Sequence, residues 1–179
     1  MILVSRDGKL SRIIIDRPDR RNALNWDMIG ALGDAIAESD ADPDCHCIVI
    51  KGTSGHFCAG RDLDAAGGAG ALVPALEADT AWTRIFHLLH RASTPTVAVV
   101  EGYAVAGGFT LAMGCDFVLA EKGARFGAME MQNGFPAAIN TPVLSKLVGP
   151  RLALELLVFG DLVDAERLYG MGLINRLVA

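Results

Sequence analysis

Two glycine-containing loops follow strand-like runs of the sequence, and both have the composition of a backbone anion site. The first reads GHFCAGRDL over residues 55–63, and the second reads GYAVAGGFT over residues 102–110. Small residues let backbone N–H groups approach a ligand, and a helix that begins in such a loop leaves N–H groups unpaired at its positive end. Both loops lie where α/β proteins place their ligands, at the carboxyl ends of strands.

A phosphate is one anion that such loops can hold, but both loops lack its usual signatures. Neither contains the lysine of a GxxxxGK[ST] loop or the GxGxxG spacing. The functional candidate that remains is an oxyanion that forms during a reaction and is stabilised by two N–H groups. The alternative is tight backbone packing in the core, and glycine spacing alone does not decide between the two.

Alternating strands and helices are predicted to position these loops. Strands are predicted over 2–6 and 10–16 with a hairpin at Asp7-Gly8, and over 46–51, 96–100 and 117–120. Helices are predicted from the capping residue Asn25 to about Ser39, over 74–91, after Gly108, and after Pro136 except for 172–178. The small-residue run AAGGAG at 65–70 is predicted to be mobile. This order favours an α/β fold built from repeated βα units.

Bulk properties exclude several classes of protein. A length of 179 residues suggests one domain with a sizeable core, and the net charge of −5 without a basic run disfavours nucleic acid as a partner. The most apolar stretch, 96–120, is interrupted by Glu101 and Asp116 and by four glycines, so we interpret it as buried strand, turn and helix. We therefore expect no membrane association.

The four cysteines do not have the spacing of a metal site. In Cys45-His46-Cys47, a strand conformation points the histidine away from both thiols. We expect free thiols in a reducing compartment, hence a cytoplasmic protein without a bound metal.

The joint pattern of the motifs resembles the enoyl-CoA hydratase/isomerase family, also called the crotonase family. It is carried, in order along the chain, by RPDRRNALNWDM at 17–28, HFCAGRDL at 56–63, EGYAVAGGFTLAMGCDFVLAEKGARFGAMEMQNGFP at 101–136 and GLINRLV at 172–178. The resemblance implies a crotonase-like spiral of ββα units acting on acyl-CoA thioesters. It implies no metal or redox cofactor, since CoA is part of the substrate.

The resemblance also gives the two loops a role. In this family two backbone N–H groups bind the thioester carbonyl oxygen as an enolate forms. By motif match these N–H groups belong to Ala59 in the first loop and Gly107 in the second. No lysine is needed in such a loop because no phosphate sits there.

Family hydratases use two glutamates, and this sequence matches only one of them. Glu130 occupies the second position, and Thr110 stands where the first glutamate would be. Glu130 is then expected to transfer the proton, with a pKa raised by apolar neighbours such as Phe126, Met129, Met131 and Phe135. One carboxylate is enough for double-bond isomerisation. Hydration by a single glutamate is the other possibility, in which Thr110 hydrogen-bonds a water without acting as a base.

The resemblance implies that CoA lies along the family's usual groove, in contact with Arg21, Ala23, Gly60, Arg61, Asp62, Gly108 and Thr110. A guanidinium group at Arg20 or Arg21 suits a phosphate, and the alternative is an ordinary solvated charge. Asp62 and Asp64 are interpreted as backbone-capping residues at a helix start, and His56 as a loop side chain.

The family usually forms trimers, so a homotrimer or a dimer of trimers is implied. The sequence ends at Ala179, without the C-terminal helical segment that family members usually carry, and we expect a single crotonase-type core domain over residues 1–179. The competing function class is a non-catalytic CoA-binding or assembly protein related to the family.

Overall fold

The computed structural model describes residues 1–62, 72–134 and 136–179, and of 72–78 it describes the backbone alone. Its elements are, in chain order, β1 (Ile2–Asp7), β2 (Leu10–Ile15), α1 (Trp26–Ala41), β3 (Cys47–Gly52), α2 (Leu72–Arg91), β4 (Thr96–Val100), β5 (Tyr103–Val105), α3 (Gly107–Gly114), β6 (Phe117–Glu121), β7 (Arg125–Gly127), α4 (Asn140–Phe159), β8 (Val163–Asp164), α5 (Ala165–Gly170) and β9 (Arg176–Val178). Two short 3₁₀ helices span Pro18–Arg20 and Met131–Asn133.

The main sheet has the strand order β1-β2-β3-β4-β6-β9, and a small sheet has the order β5-β7-β8. β1 and β2 form an antiparallel hairpin, and every later neighbour in the main sheet is parallel. Parallel strands need crossover connections, which here include α1 between β2 and β3 and α2 between β3 and β4. The carboxyl ends of these strands therefore share one edge of the sheet, and the two glycine loops leave from that edge.

One face of the main sheet forms the core. Its alternate residues Ile13, Ile15, Ile48, Ile50, Ala98 and Val100 are fully buried. Helix α1 covers this core with Met28, Ile29, Leu32 and Ile36, in the spacing of an apolar helix face. Its start is fixed by Asn25, whose side chain accepts a hydrogen bond from the Met28 N–H at 3.0 Å.

Most predicted elements are confirmed within a residue or two, including the hairpin, the Asn25 cap and strand 96–100. The short strands β5, β7 and β8 were missed because two or three residues carry too little alternation to be recognised. The long helix predicted after Pro136 is interrupted at Gly149, with a φ of +78°, and again by β8. The run 65–70 lies outside the described residues.

Candidate active site

The first glycine loop is held between two other segments by backbone hydrogen bonds. On one side, the N–H of Leu24 donates to the Gly60 carbonyl, and the N–H of Asp62 donates to the Leu24 carbonyl, both at 2.8 Å. On the other side, the N–H of Cys58 donates to the Tyr103 carbonyl, and the N–H of Val105 donates to the Cys58 carbonyl, both at 3.1 Å. Three motifs far apart in the sequence therefore meet at one place.

Two glycines allow the loops to approach this closely. A Cβ on Gly60, where φ is +89°, would lie 2.8 Å from the backbone nitrogen of Gly107, and a Cβ on Gly108 would lie 2.0 Å from the Cys58 carbonyl oxygen. Gly108 is buried and packs against Cys58, so the packing interpretation applies to this residue. Gly60 instead brings the first loop against the N–H that begins α3.

The start of α3 is strained and anchored from outside the helix. Ala106 has a φ of 49° and a ψ of −127°, a combination that costs a residue with a Cβ of order 1–3 kcal/mol. Its N–H donates to the Gly127 carbonyl at 2.7 Å, which fixes the helix start to the end of β7. The Ala106 carbonyl accepts from Phe109 and Thr110. In the described part of the chain, the N–H of Gly107 has no hydrogen-bond acceptor, as expected in a first helical turn.

The predicted partner of Gly107 is already engaged within the protein. The N–H of Ala59 donates to the carbonyl of Arg21 at 3.1 Å, so it would have to break this bond to reach a substrate. Two residues later, the N–H of Arg61 has no acceptor among residues 1–62, 72–134 and 136–179. Arg61 directly follows Gly60, the residue that contacts the start of α3.

Glu130 is a half-buried carboxylate between β7 and the 3₁₀ helix at 131–133. Its Oε1 accepts a hydrogen bond from Nδ2 of Asn140 at 2.8 Å. Burial raises the pKa of Glu130, and the rise is opposed by hydrogen bonds from its own backbone N–H and from Asn140 and by the positive charge of Arg61. The charge of Arg61 therefore links the first glycine loop electrostatically to this carboxylate.

The apolar surroundings predicted for Glu130 are present in part. Phe126 is fully buried and meets Phe109 of α3 edge to face, with ring centroids 5.9 Å apart. Met131, in contrast, is 48 % exposed. Phe135 lies outside the described residues, so its predicted contribution is untested.

The hydroxyl of Thr110 is buried and its hydrogen is already donated within the protein. Its side chain is 1 % exposed, and its Oγ1 donates to the Ala106 carbonyl of its own helix at 3.4 Å. The side chain that hydrogen-bonds to Glu130 is instead that of Asn140, a buried residue that sequence reasoning missed. An asparagine at a helix start is ordinarily interpreted as a cap, so its position gave no signal of contact with Glu130.

The charged residues of the predicted CoA surface differ in exposure and in partners. Arg21 is exposed, whereas the carboxylate of Asp62 is buried in an ion pair with Arg17 at 2.7 Å. Arg17 also donates to the Ala23 carbonyl at 3.0 Å, so this ion pair ties the 17–24 segment to the first loop. The guanidinium of Arg61 pairs with the exposed Asp79 of α2. Asp64 lies outside the described residues.

His56 lies in a ring contact, and three of the four cysteines are buried. The ring of His56 lies against Tyr103, with centroids 5.5 Å apart, and Cys58 and Cys115 are buried thiols whose pKa burial raises to about 12. Within the described ranges, no cluster of histidine, cysteine or acidic residues is arranged to hold a metal ion. None of the described helices combines the length and apolar character needed to cross a bilayer.

The chain has clear relatives among known proteins. The model of the enoyl-CoA hydratase/isomerase family matches residues 6–179. The chain belongs to this family. It is 34% identical over 179 residues to the crotonyl-CoA hydratase of Syntrophomonas wolfei, with 99% of this chain and 68% of that protein covered.

Solved structures similar to this chain confirm the predicted crotonase-like fold. The enoyl-CoA hydratase of Mycobacterium smegmatis superposes with a TM-score of 0.95 at 31% identity, covering 99% of this chain and 70% of that one. The DspI protein of Pseudomonas aeruginosa superposes with a TM-score of 0.92 at 29% identity, covering 99% and 68%. The chain is thus an enzyme of the hydratase/isomerase type.

Proposed function

We propose that this enzyme binds an acyl-CoA thioester, stabilises its enolate with two backbone N–H groups, and transfers a proton with Glu130. The observation that carries the proposal is the position of Glu130. Burial raises the pKa of this half-buried carboxylate, and the positive charge of Arg61, the residue that follows Gly60 in the first glycine loop, acts on it. A base of this kind can take a proton from carbon near neutral pH.

The N–H groups of Gly107 and Arg61 are the proposed donors to the thioester oxygen. Both lack acceptors among the described residues, and Gly60 brings their loops together. The bond from Ala59 to Arg21 argues for Arg61 in place of Ala59 as the donor of the first loop. Donors that are already oriented before the reaction stabilise a developing oxyanion without reorganisation.

For the rest of the substrate, we propose that CoA follows the paired segments 21–24 and 59–62, with the exposed Arg21 available to a phosphate. Asp62 supports this surface through its ion pair with Arg17 rather than by direct contact. Gly108 and Thr110 are buried in the first turn of α3, so we propose that they pack the start of this helix rather than contact CoA.

We further propose a cytoplasmic homotrimer or dimer of trimers. The surface of α4 carries large apolar side chains that are at least half exposed, namely Leu147, Leu154, Val158 and Phe159. Exposed apolar side chains of this size are common on surfaces that are covered in an assembly.

Deuterium uptake at C2 of butyryl-CoA in D₂O tests the proposal, because enolate formation is common to isomerisation and hydration. The wild type should show uptake, at a rate that rises with pH as Glu130 ionises. In Glu130→Gln the rate should fall by about 10²–10⁴-fold. Glu166→Gln, which changes an exposed carboxylate on α5, is the matched control and should keep the wild-type rate. A folded wild type that binds CoA without any uptake would favour a non-catalytic CoA-binding protein instead.

A further inference from the structure

Two buried oxygen atoms beside the proposed base have no hydrogen-bond donor among the described residues. They are Oε2 of Glu130 and Oδ1 of Asn140. Asn140 is 1 % exposed, so bulk water does not serve its oxygen. An unsatisfied buried acceptor is unfavourable, and its presence needs an explanation.

The two oxygens are at most about 7 Å apart, because their own side chains are hydrogen-bonded to each other. Nδ2 of Asn140 is 2.8 Å from Oε1 of Glu130, and in each side chain the second atom lies about 2.2 Å from the first. The orientation of the amide follows from charge, since only its N–H₂ can face an ionised carboxylate. Both remaining atoms are acceptors, so neither can satisfy the other.

We propose that Glu130 and Asn140 together hold a water molecule, and that this water is the one added to C3 of a 2-enoyl-CoA thioester. Water carries two hydrogens and can donate one to each oxygen. Among the described residues, Asn140 Oδ1 is the buried side-chain oxygen besides that of Glu130 that lacks a donor, so we assign it as the second acceptor of the site. This inference rests on the proposed function and selects hydration from the two reactions that it allows.

The addition balances with Glu130 as the only base. The water oxygen forms a bond to C3 while Glu130 Oε2 takes one of its protons, and the C2=C3 electron pair shifts so that the enolate oxygen carries the charge. The enolate then takes that proton from Glu130 at C2, which restores the carboxylate. One water has been added, and nothing has been oxidised or reduced.

The test compares two rates in the same protein, hydration of crotonyl-CoA and deuterium uptake at C2 of butyryl-CoA. Both need Glu130, but only hydration needs the bound water. Asn140→Leu keeps the approximate volume and removes both polar atoms. We expect hydration to fall at least about tenfold more than uptake, the cost of one lost hydrogen bond in the transition state, at a pH where Glu130 is ionised.

A purely structural role for Asn140 would lower both rates by the same factor, and that result would overturn the proposal. Unchanged hydration in Asn140→Leu, or a wild type that exchanges C2 protons without hydrating crotonyl-CoA, would also overturn it while leaving the proposed function intact. A wild type with neither activity would instead refute the proposed function. If Asn140→Leu does not fold, Asn140→Val gives the same comparison.

Asn140→Asp supplies an independent readout. It keeps an oxygen acceptor at nearly the same place but adds a second carboxylate beside Glu130. Like charges disfavour ionisation, so the pH profile of hydration should move to higher pH. Hydration that persists in this variant with a shifted profile supports an acceptor role, and an unshifted profile would show that residue 140 does not face the base.

Discussion

Replacing Gly60 with alanine tests whether the close contact between the two glycine loops positions the proposed N–H donors. Gly60 has a φ of +89°, which costs a residue with a Cβ about 1–2 kcal/mol. The new Cβ would also lie 2.8 Å from the nitrogen of Gly107, where ordinary contacts begin at 3.4 Å. The start of α3 must therefore move away from residue 60 by about 0.6 Å, because the obstructing atom belongs to the backbone.

A displacement of this size should impair catalysis more than it impairs folding. Misplacement by about 1 Å can cost about 10²-fold in rate, and loss of one oxyanion donor costs 10²–10³-fold in other enzymes. We expect deuterium uptake at C2 of butyryl-CoA to fall by about 10²-fold in Gly60→Ala, together with a loss of about 1–3 kcal/mol in the free energy of unfolding. Both quantities are measured at a temperature where the variant is folded.

Gly123→Ala is the matched control, because no atom lies within 4 Å of its added Cβ and its φ is not in the left-handed region. It should change stability by no more than about 0.5 kcal/mol and leave the exchange rate unchanged. The reasoning is refuted if Gly60→Ala exchanges C2 protons at the wild-type rate, since the contact with Gly107 would then not position a donor.

Three further predictions concern charge and burial. Burial raises the pKa of Glu130, so ionisation of this residue destabilises the fold as the pH rises above its normal pKa. Glu130→Gln should therefore have a higher melting temperature than the wild type at pH 8. Thermal melts across pH should show this gain vanishing in acid. Asp62→Asn breaks a largely buried ion pair with Arg17 and should lower the free energy of unfolding by about 1–3 kcal/mol in urea titrations, whereas Asp34→Asn, in an exposed pair, should cost under about 1 kcal/mol. Of the four cysteines, only Cys47 is not buried. A thiol reagent should therefore modify one cysteine per native chain and four per unfolded chain. Labelling of a second thiol in the native chain as fast as Cys47 would contradict this.

The sequence predicted the architecture well because long elements repeat their pattern. Helix α1 offers several turns of apolar spacing and an asparagine cap, and strand β4 offers an unbroken apolar run. Glu130 was identified through its place in a motif, and the structure supplies the burial that a motif does not describe. Short strands such as β5 form because their neighbours supply hydrogen-bond partners, which no local pattern reveals.

The details of the site depend on which backbone groups are already engaged. Ala59 and Arg61 lie two residues apart in the same motif, and only the bond from Ala59 to the Arg21 carbonyl distinguishes their N–H groups. That bond joins segments almost forty residues apart in the sequence, so local reasoning does not detect it. The contact between Glu130 and Asn140 was missed for a similar reason, since a turn and a helix start must fold together to create it.

The groups around Glu130 act on its pKa in opposite directions, and this balance bears on the proposed chemistry. Burial favours the protonated form, while Asn140 and the charge of Arg61 favour the carboxylate. A base that must accept a proton and then return it works best when neither form is strongly preferred. Removing the Arg61 charge, as in Arg61→Met, should therefore raise the pKa of Glu130 further and shift the pH profile of C2 exchange upward. Because the proposed donor of Arg61 is its backbone N–H, the maximal rate at high pH should survive this substitution, and a lost plateau would show that the guanidinium itself takes part in the reaction.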